Sequence, residues 1–289
     1  MLIKLAKIIF SILIIVITLK VIFSLTSNLT IDIDLFLKEH YGFILFTIVF
    51  QIIGVILSSL RWQKAVQFFS NNKNLMFSSF NYLNLTSRAN IINNFIPSII
   101  AGDVSKLISP NKKKKKEEIK FIVFDRLIGF FTLGHLGLIS MIFLGLLNSN
   151  YFLFILSFEI FIFFIFYKSK LNLFKKNFNK VNSLNFSRLI IISFLSQVSY
   201  SLSLFVQLLG LKNYESSLND YFISLFLNFV GMFPFSINGW GIREWSANKI
   251  AEDISDSNNI IIASIVFGVC ISISNILIYF YTNHRKIRN

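Results

Sequence analysis

Tyr41-Gly-Phe-Ile-Leu-Phe-Thr-Ile-Val-Phe-Gln-Ile-Ile-Gly-Val-Ile-Leu-Ser-Ser-Leu60 is twenty residues without a charge, and Arg61-Trp62 follows it at once. At about 1.5 Å per residue, a helix of that length crosses roughly 30 Å of hydrocarbon. The rest of the chain points the same way. Of its 289 residues, 54% are hydrophobic and only 15% are charged, against about a quarter charged in an ordinary soluble domain. Further apolar runs lie at Ile8–Leu25, Ile119–Leu147, Tyr151–Tyr167, Leu189–Leu209 and Asn259–Tyr281. The expected fold is an all-α polytopic membrane protein with about six spanning helices. It forms a single integral domain over 1–289, with repeat halves near 41–147 and 151–281 and an additional N-terminal helix within 1–25. The first run is read as a retained helix rather than a signal peptide, because no small-x-small cleavage site follows it.

Two more apolar stretches are interrupted. Leu75–Ile100 carries five asparagines, Arg88 and Pro97; Tyr221–Ile242 carries Asn228, Pro234, Asn238 and three glycines. Neither can lie in lipid as a plain helix, since every break frees backbone groups that hydrocarbon cannot satisfy. Re-entrant segments buried in protein are expected.

The charges test that topology. With the N-terminus inside and each broken segment returning to its own side, the cytoplasmic segments hold 22 of the 28 Lys and Arg residues and three acids. The opposite side holds four basic residues and nine acids. Such asymmetry orients a membrane protein with its basic loops, and here both termini, on the cytoplasmic side of an inner (plasma) membrane. The formal net charge of +14 is therefore a topology signal rather than a sign of nucleic-acid binding.

The broken segments repeat a pattern: Pro97, four residues, Gly102, then Asp103; Pro234, four residues, Gly239, then, after Trp240-Gly241-Ile242, Arg243-Glu244. Entering from opposite faces, they read as an inverted repeat whose discontinuous helices meet near the membrane centre. Broken helix ends expose N–H groups suited to anions such as phosphate. The alternative is a pair of surface amphipathic helices with Pro-Gly turns and no ligand.

Ionisable groups at membrane depth are functional candidates by default. Asp125 and Arg126 lie about two turns into their run; Arg126 either holds a lipid phosphate through its planar fork or snorkels to the surface while Asp125 pairs with a lysine. Glu159, alone in its run, is a candidate proton-coupled group or a neutral structural acid, with His135 as a partner. Arg243 and Glu244 form either a surface ion pair or a headgroup contact that locks the turn. No phosphate loop, nucleophile elbow, zinc-helix or dinucleotide motif occurs. The single cysteine and three scattered histidines give no metal set, and no cofactor is expected.

Arg61-Trp62, Asn94-Phe-Ile-Pro97 leading to Ala101-Gly102-Asp103, Asp125-Arg126-Leu127-Ile128-Gly129 and Asn238-Gly239-Trp240-Gly241-Ile242-Arg243-Glu244 occur in one order. Together they resemble the transmembrane domain of lysylphosphatidylglycerol synthases, the flippase-like domain family, from about residue 41 onward. The resemblance implies a helical membrane fold with re-entrant segments and lipid translocation. Ser98-Ile99-Ile100-Ala101 replaces the glycines usual in the first motif, and Lys106 stands where arginine is common. The soluble aminoacyl-transfer domain of the synthases is missing, so lysyl transfer is not expected.

The reading is translocation of an anionic phospholipid or lipid-linked substrate, flippase- or scramblase-like. Its binding set is Asn94, Pro97, Gly102, Asp103, Arg126, Asn238, Gly239, Gly241, Arg243 and Glu244. The alternatives are a membrane enzyme of polyprenyl-phosphate, glycolipid or hopanoid metabolism, with Asp103 or Glu244 as base, and a membrane subunit anchoring a separately encoded soluble enzyme.

Overall fold

A computed structural model describes residues 33–69, 78–95, 99–107, 112–147, 183–212, 217–233, 239–251 and 257–288. These residues form eight helices and no β-strand: α1 (Ile33–Phe69), α2 (Ser79–Phe95), α3 (Ile99–Val104), α4 (Lys112–Phe143), α5 (Ser183–Leu211), α6 (Leu218–Val230), α7 (Ile242–Ala251) and α8 (Ser257–Arg288). Four stretches are long and apolar enough to cross a membrane: Glu39–Gln67, Glu118–Phe143, Phe186–Leu211 and Asn258–His284. They coincide with four of the six runs read from the sequence. The other two, Ile8–Leu25 and Tyr151–Tyr167, lie outside the described residues.

The spans are built for lipid rather than water. On α1, Leu45, Phe46, Val49 and Ile53 are exposed while Thr47 and Gln51 are fully buried. Where the solvent is hydrocarbon, apolar side chains cost nothing outside, and polar ones must find partners within the protein. They do so between helices. The Thr47 hydroxyl donates to the Ser203 carbonyl (3.1 Å), and the Gln207 amide donates to Thr47 Oγ1 (2.7 Å). The Gln51 amide donates to the Phe267 carbonyl (3.1 Å) and accepts from the Ser274 hydroxyl (2.7 Å). Small residues let the backbones approach: the Gly54 and Gly210 faces are filled by the rings of Tyr200 and Phe43.

Packing partners fall into exchanged pairs. If α1–α4 and α5–α8 are matched in order, α1 packs on its counterpart α5, α2 on α8 as α6 does on α4, and α1 on α8 as α4 does on α5. Two apolar cores follow the same division. One joins Trp62, Ala65, Tyr82, Phe121, Phe124 and Leu189 from α1, α2, α4 and α5. The other joins Leu204, Leu208, Ile223, Leu227, Ile260 and Phe267 from α5, α6 and α8, with Ala247 and Ile250 of α7.

The registers set the reach of the two short arms. Asn84 of α2 donates to Thr282 Oγ1 (2.8 Å) and Asn283 Oδ1 (2.9 Å), Asn90 to Asn275 Oδ1 (3.0 Å), and Asn94 to Ser272 Oγ (3.1 Å). As numbers rise on α2 they fall on α8, so the helices are antiparallel. Ser272 lies twelve residues before the end of its span at His284, which puts the tip of α2 about 18 Å along the helix from that end. From the far end of α4, Phe222 stacks on Phe143 at 4.2 Å, and Phe229 fills the space over Gly137. α6 thus runs antiparallel to α4 along about 9 Å of it.

Candidate functional site: a buried cation cluster beside the first helix break

Arg61 follows the apolar run directly, so helix geometry carries it into the bundle rather than into a loop. Its Nε donates to Asp125 Oδ1 at 2.7 Å, Nη2 to Asp125 Oδ2 at 3.3 Å, and Nη1 to Ser193 Oγ at 3.0 Å. Ser193 in turn shares a hydrogen bond of 2.7 Å with Thr132. Gly129, one turn after Asp125, makes room: a Cβ there would come within 2.9 Å of Arg61 Nη1. Both charges are buried, with side-chain exposures of 9% and 4%, where each is tolerable only because the other is present.

Arg126 points about 100° away from Asp125 around α4 and meets a different carboxylate. Its Nε donates to Asp103 Oδ2 at 2.7 Å and its Nη2 to Asp103 Oδ1 at 3.0 Å. Lys106 Nζ reaches the same Oδ1 at 3.1 Å and sits 5.1 Å over the Trp62 ring. Trp62 meets Tyr82 edge-on, with centroids 5.0 Å apart. α3 can return this closely because residue 102 is glycine: its N–H donates to Asn93 Oδ1 at 2.9 Å, and a Cβ would run into the Ala89 carbonyl. Since Arg126 lies eight residues into its span, the Asp103 carboxylate sits about 12 Å along the helix from the start of that span.

Exposure separates these five groups. The side chains of Asp103, Lys106, Arg61 and Asp125 are all under 10% exposed, whereas Arg126 is 41% exposed. On α4, Ile119, Val123, Leu127 and Phe130 are exposed apolar residues spaced for one lipid-facing stripe. Arg126 comes three residues after Val123 and four before Phe130, so it borders that stripe.

The second turn is built differently. Gly239 and Gly241 have φ of +85° and +84°, the left-handed region that glycine enters without cost. Glu244 accepts from the Gly241 N–H (2.6 Å) on Oε2 and from the Ser264 hydroxyl (2.7 Å) on Oε1. Arg243 Nε donates to the Gly239 carbonyl at 3.3 Å, and its guanidinium lies 4.9 Å over the Phe267 ring. Both residues are buried, so the surface ion pair allowed by the sequence does not form; Glu244 instead staples the turn. Trp240 packs over Gly268, ten residues into its span and about 15 Å along the helix from its start. Lys106 and Arg243 each come nine residues after their segment's proline, and each is a buried cation over an aromatic ring.

A family model described as "Lysylphosphatidylglycerol synthase TM region" matches residues 4–278. The chain belongs to that family. Searches of curated proteins and of solved structures return no match.

Of the residues singled out by sequence in this lysylphosphatidylglycerol synthase TM-region protein, the structure joins Asp103 to Arg126 and gathers Gly239, Gly241, Arg243 and Glu244 around one turn. Asn94 holds α2 to α8, and Gly102 seats α3. The contacts of the first set run to α1, α2, α3, α4 and α5; those described for Arg243 and Glu244 run to α8 and to the turns at Gly231 and Gly239–Gly241. Pro97, Asn238 and Glu159 lie outside the described residues. His135 shares a hydrogen bond with its own helix at the Phe131 carbonyl, 2.8 Å. Asp125 pairs with Arg61 rather than with a lysine, and Arg126 is held by Asp103 instead of reaching freely for the surface.

Arg61 and Lys106 are both buried within the protein. Desolvation is offset by a carboxylate in each case, with an aromatic face added for Lys106. The available signal was spacing: Lys106 is one helical turn from Asp103, and Arg61 abuts an apolar run.

Proposed function

We propose that this membrane domain moves an anionic phospholipid or a lipid-linked anion between leaflets, with Arg126 as the headgroup contact. One observation carries the reading: among five clustered charges, only Arg126 opens outward, and it opens beside a lipid-facing stripe about 12 Å along the helix from the start of its span. Buried charge within a span is expensive and is kept where it serves a polar substrate. A guanidinium gripped from the side by Asp103 still offers its outer N–H groups to phosphate.

In this reading α2–α3 and α6–α7 are re-entrant arms of an inverted repeat, entering from opposite faces with both termini cytoplasmic in an inner (plasma) membrane. The contacts of the α2 tip with Ser272 and of Trp240 with Gly268, both near the middle of the Asn258–His284 span, support it. Movement of lipid is then downhill or coupled to an ion. The geometry speaks against the enzyme alternative, because both carboxylates eligible as general base are closed, Asp103 by two cations and Glu244 by two donors.

The test is dithionite quenching of fluorescent phosphatidylglycerol in proteoliposomes. Quenching beyond the outer-leaflet half in the wild type, lost in Arg126→Ala and kept in the outward-facing control Leu127→Ala, is expected. Equal quenching by wild type and Arg126→Ala would remove Arg126 from the path. A plateau at half for the wild type would remove passive movement of this lipid.

A further inference from the structure

We infer that Lys106 is the residue that makes the site selective for anionic over zwitterionic headgroups, by cancelling Asp103 so that the positive charge of Arg126 remains available. This rests on the reading of Arg126 as the headgroup contact and assigns its selectivity to a second, buried residue.

The argument is one of charge and geometry. Arg61 and Asp125 are a closed pair: Asp125 takes two bonds from Arg61, and the third Arg61 bond goes to Ser193. Asp103 alone would cancel the charge of Arg126 while leaving Nη1 open, giving a neutral site with a dipole and no preference for an anion. Lys106 changes the balance. With its ammonium 3.1 Å from Asp103 Oδ1, the three cations and two carboxylates sum to one positive charge.

That surplus is not lodged on Lys106 for a ligand to reach, since Lys106 is 5% exposed and covered on one side by Trp62. It is expressed at Arg126, the only outward-opening member of the five. Asp103 grips Arg126 side-on through Nε and Nη2, so the Nη1 end of the fork has no bond to protein among the described residues. An anion can dock there with Asp103 still in place. A zwitterionic headgroup brings a cation with its phosphate, which an open positive charge disfavours.

Lys106 is thus a positioning and charge-setting residue that never touches the lipid. A packing role over Trp62 predicts loss of stability without loss of choice. A charge role predicts loss of choice that a second charge removal can undo. In Lys106→Met the five positions sum to zero; in Lys106→Met/Asp103→Asn they again sum to one positive charge.

The experiment is native mass spectrometry of the full chain in nonionic detergent, incubated with equal amounts of short-chain phosphatidylglycerol and phosphatidylcholine. The readout is the ratio of the two bound lipids, which does not require transport. Wild type is expected to favour phosphatidylglycerol. Lys106→Met should cut that preference by roughly ten-fold, the scale of one charge near a partly buried site, and Lys106→Met/Asp103→Asn should restore most of it. Lys106→Arg should keep it. An unchanged ratio in Lys106→Met overturns the inference, as does a lost ratio that the double variant fails to restore. A wild type without preference overturns it too. A wild type that shows the Lys106-dependent preference but moves no lipid in proteoliposomes leaves the selectivity standing and overturns the transport reading alone.

Discussion

Replacing Asp125 with alanine strands the Arg61 guanidinium inside the bundle. Arg61 is only 9% exposed at its side chain and loses both carboxylate bonds, keeping Ser193 at 3.0 Å. Removing one partner of a buried ion pair costs about 3–5 kcal/mol, because the remaining charge stays desolvated. The same figure follows from Coulomb's law, at about 4 kcal/mol for unit charges 4 Å apart at an effective dielectric of 20. Little relief is available: Gly129 and Ser193 hold the guanidinium on two sides, and the span keeps it away from water. Asp125→Ala should therefore lower stability by about 3–5 kcal/mol. Arg61→Met/Asp125→Leu, which removes both charges, should recover most of that loss. Unfolding by titrated SDS in mixed micelles, followed by tryptophan fluorescence, reads both. A loss below about 1 kcal/mol for Asp125→Ala, the range of an exposed pair, would refute the assignment of a buried pair. So would a double variant no more stable than the single.

Two further outcomes probe the arms. Asn90→Leu leaves Asn275 Oδ1 without its donor and should cost about 1–3 kcal/mol, whereas Asn90→Leu/Asn275→Leu should be closer to wild type; the same SDS titration measures the difference. Gly239→Ala meets both a left-handed φ of +85° and the Gly231 Cα at 2.9 Å. It should lose about 1–2 kcal/mol from the backbone alone and loosen the turn that Glu244 staples, seen as faster protease cleavage near residue 240.

The legible parts of this protein were those written in one dimension. Tyr41–Leu60 announces a span because length and lack of charge suffice for hydrocarbon. Pro97 and Pro234 announce breaks because proline cannot continue a helix, and α2 and α6 end before them, at Phe95 and Val230. Gly239 and Gly241, next to a turn, foretell positive φ. Pairing was not legible in the same way. Asp125 and Arg126 are neighbours in sequence and point to different helices, one to Arg61 of α1 and the other to Asp103 of α3. That Arg61 directly follows an apolar run hints at burial, but what holds it there is a carboxylate 64 positions away.

From the order of residues alone come the membrane class, the four described spans, the breaks and the family motifs, because hydropathy, proline geometry and spacing act over a few turns of helix. Which charges are buried, which carboxylate holds which cation, and that Arg126 is the exposed member of the five clustered groups depend on how α1, α3, α4 and α5 pack. Desolvation there makes a charge tolerable only beside a partner brought from elsewhere in the chain.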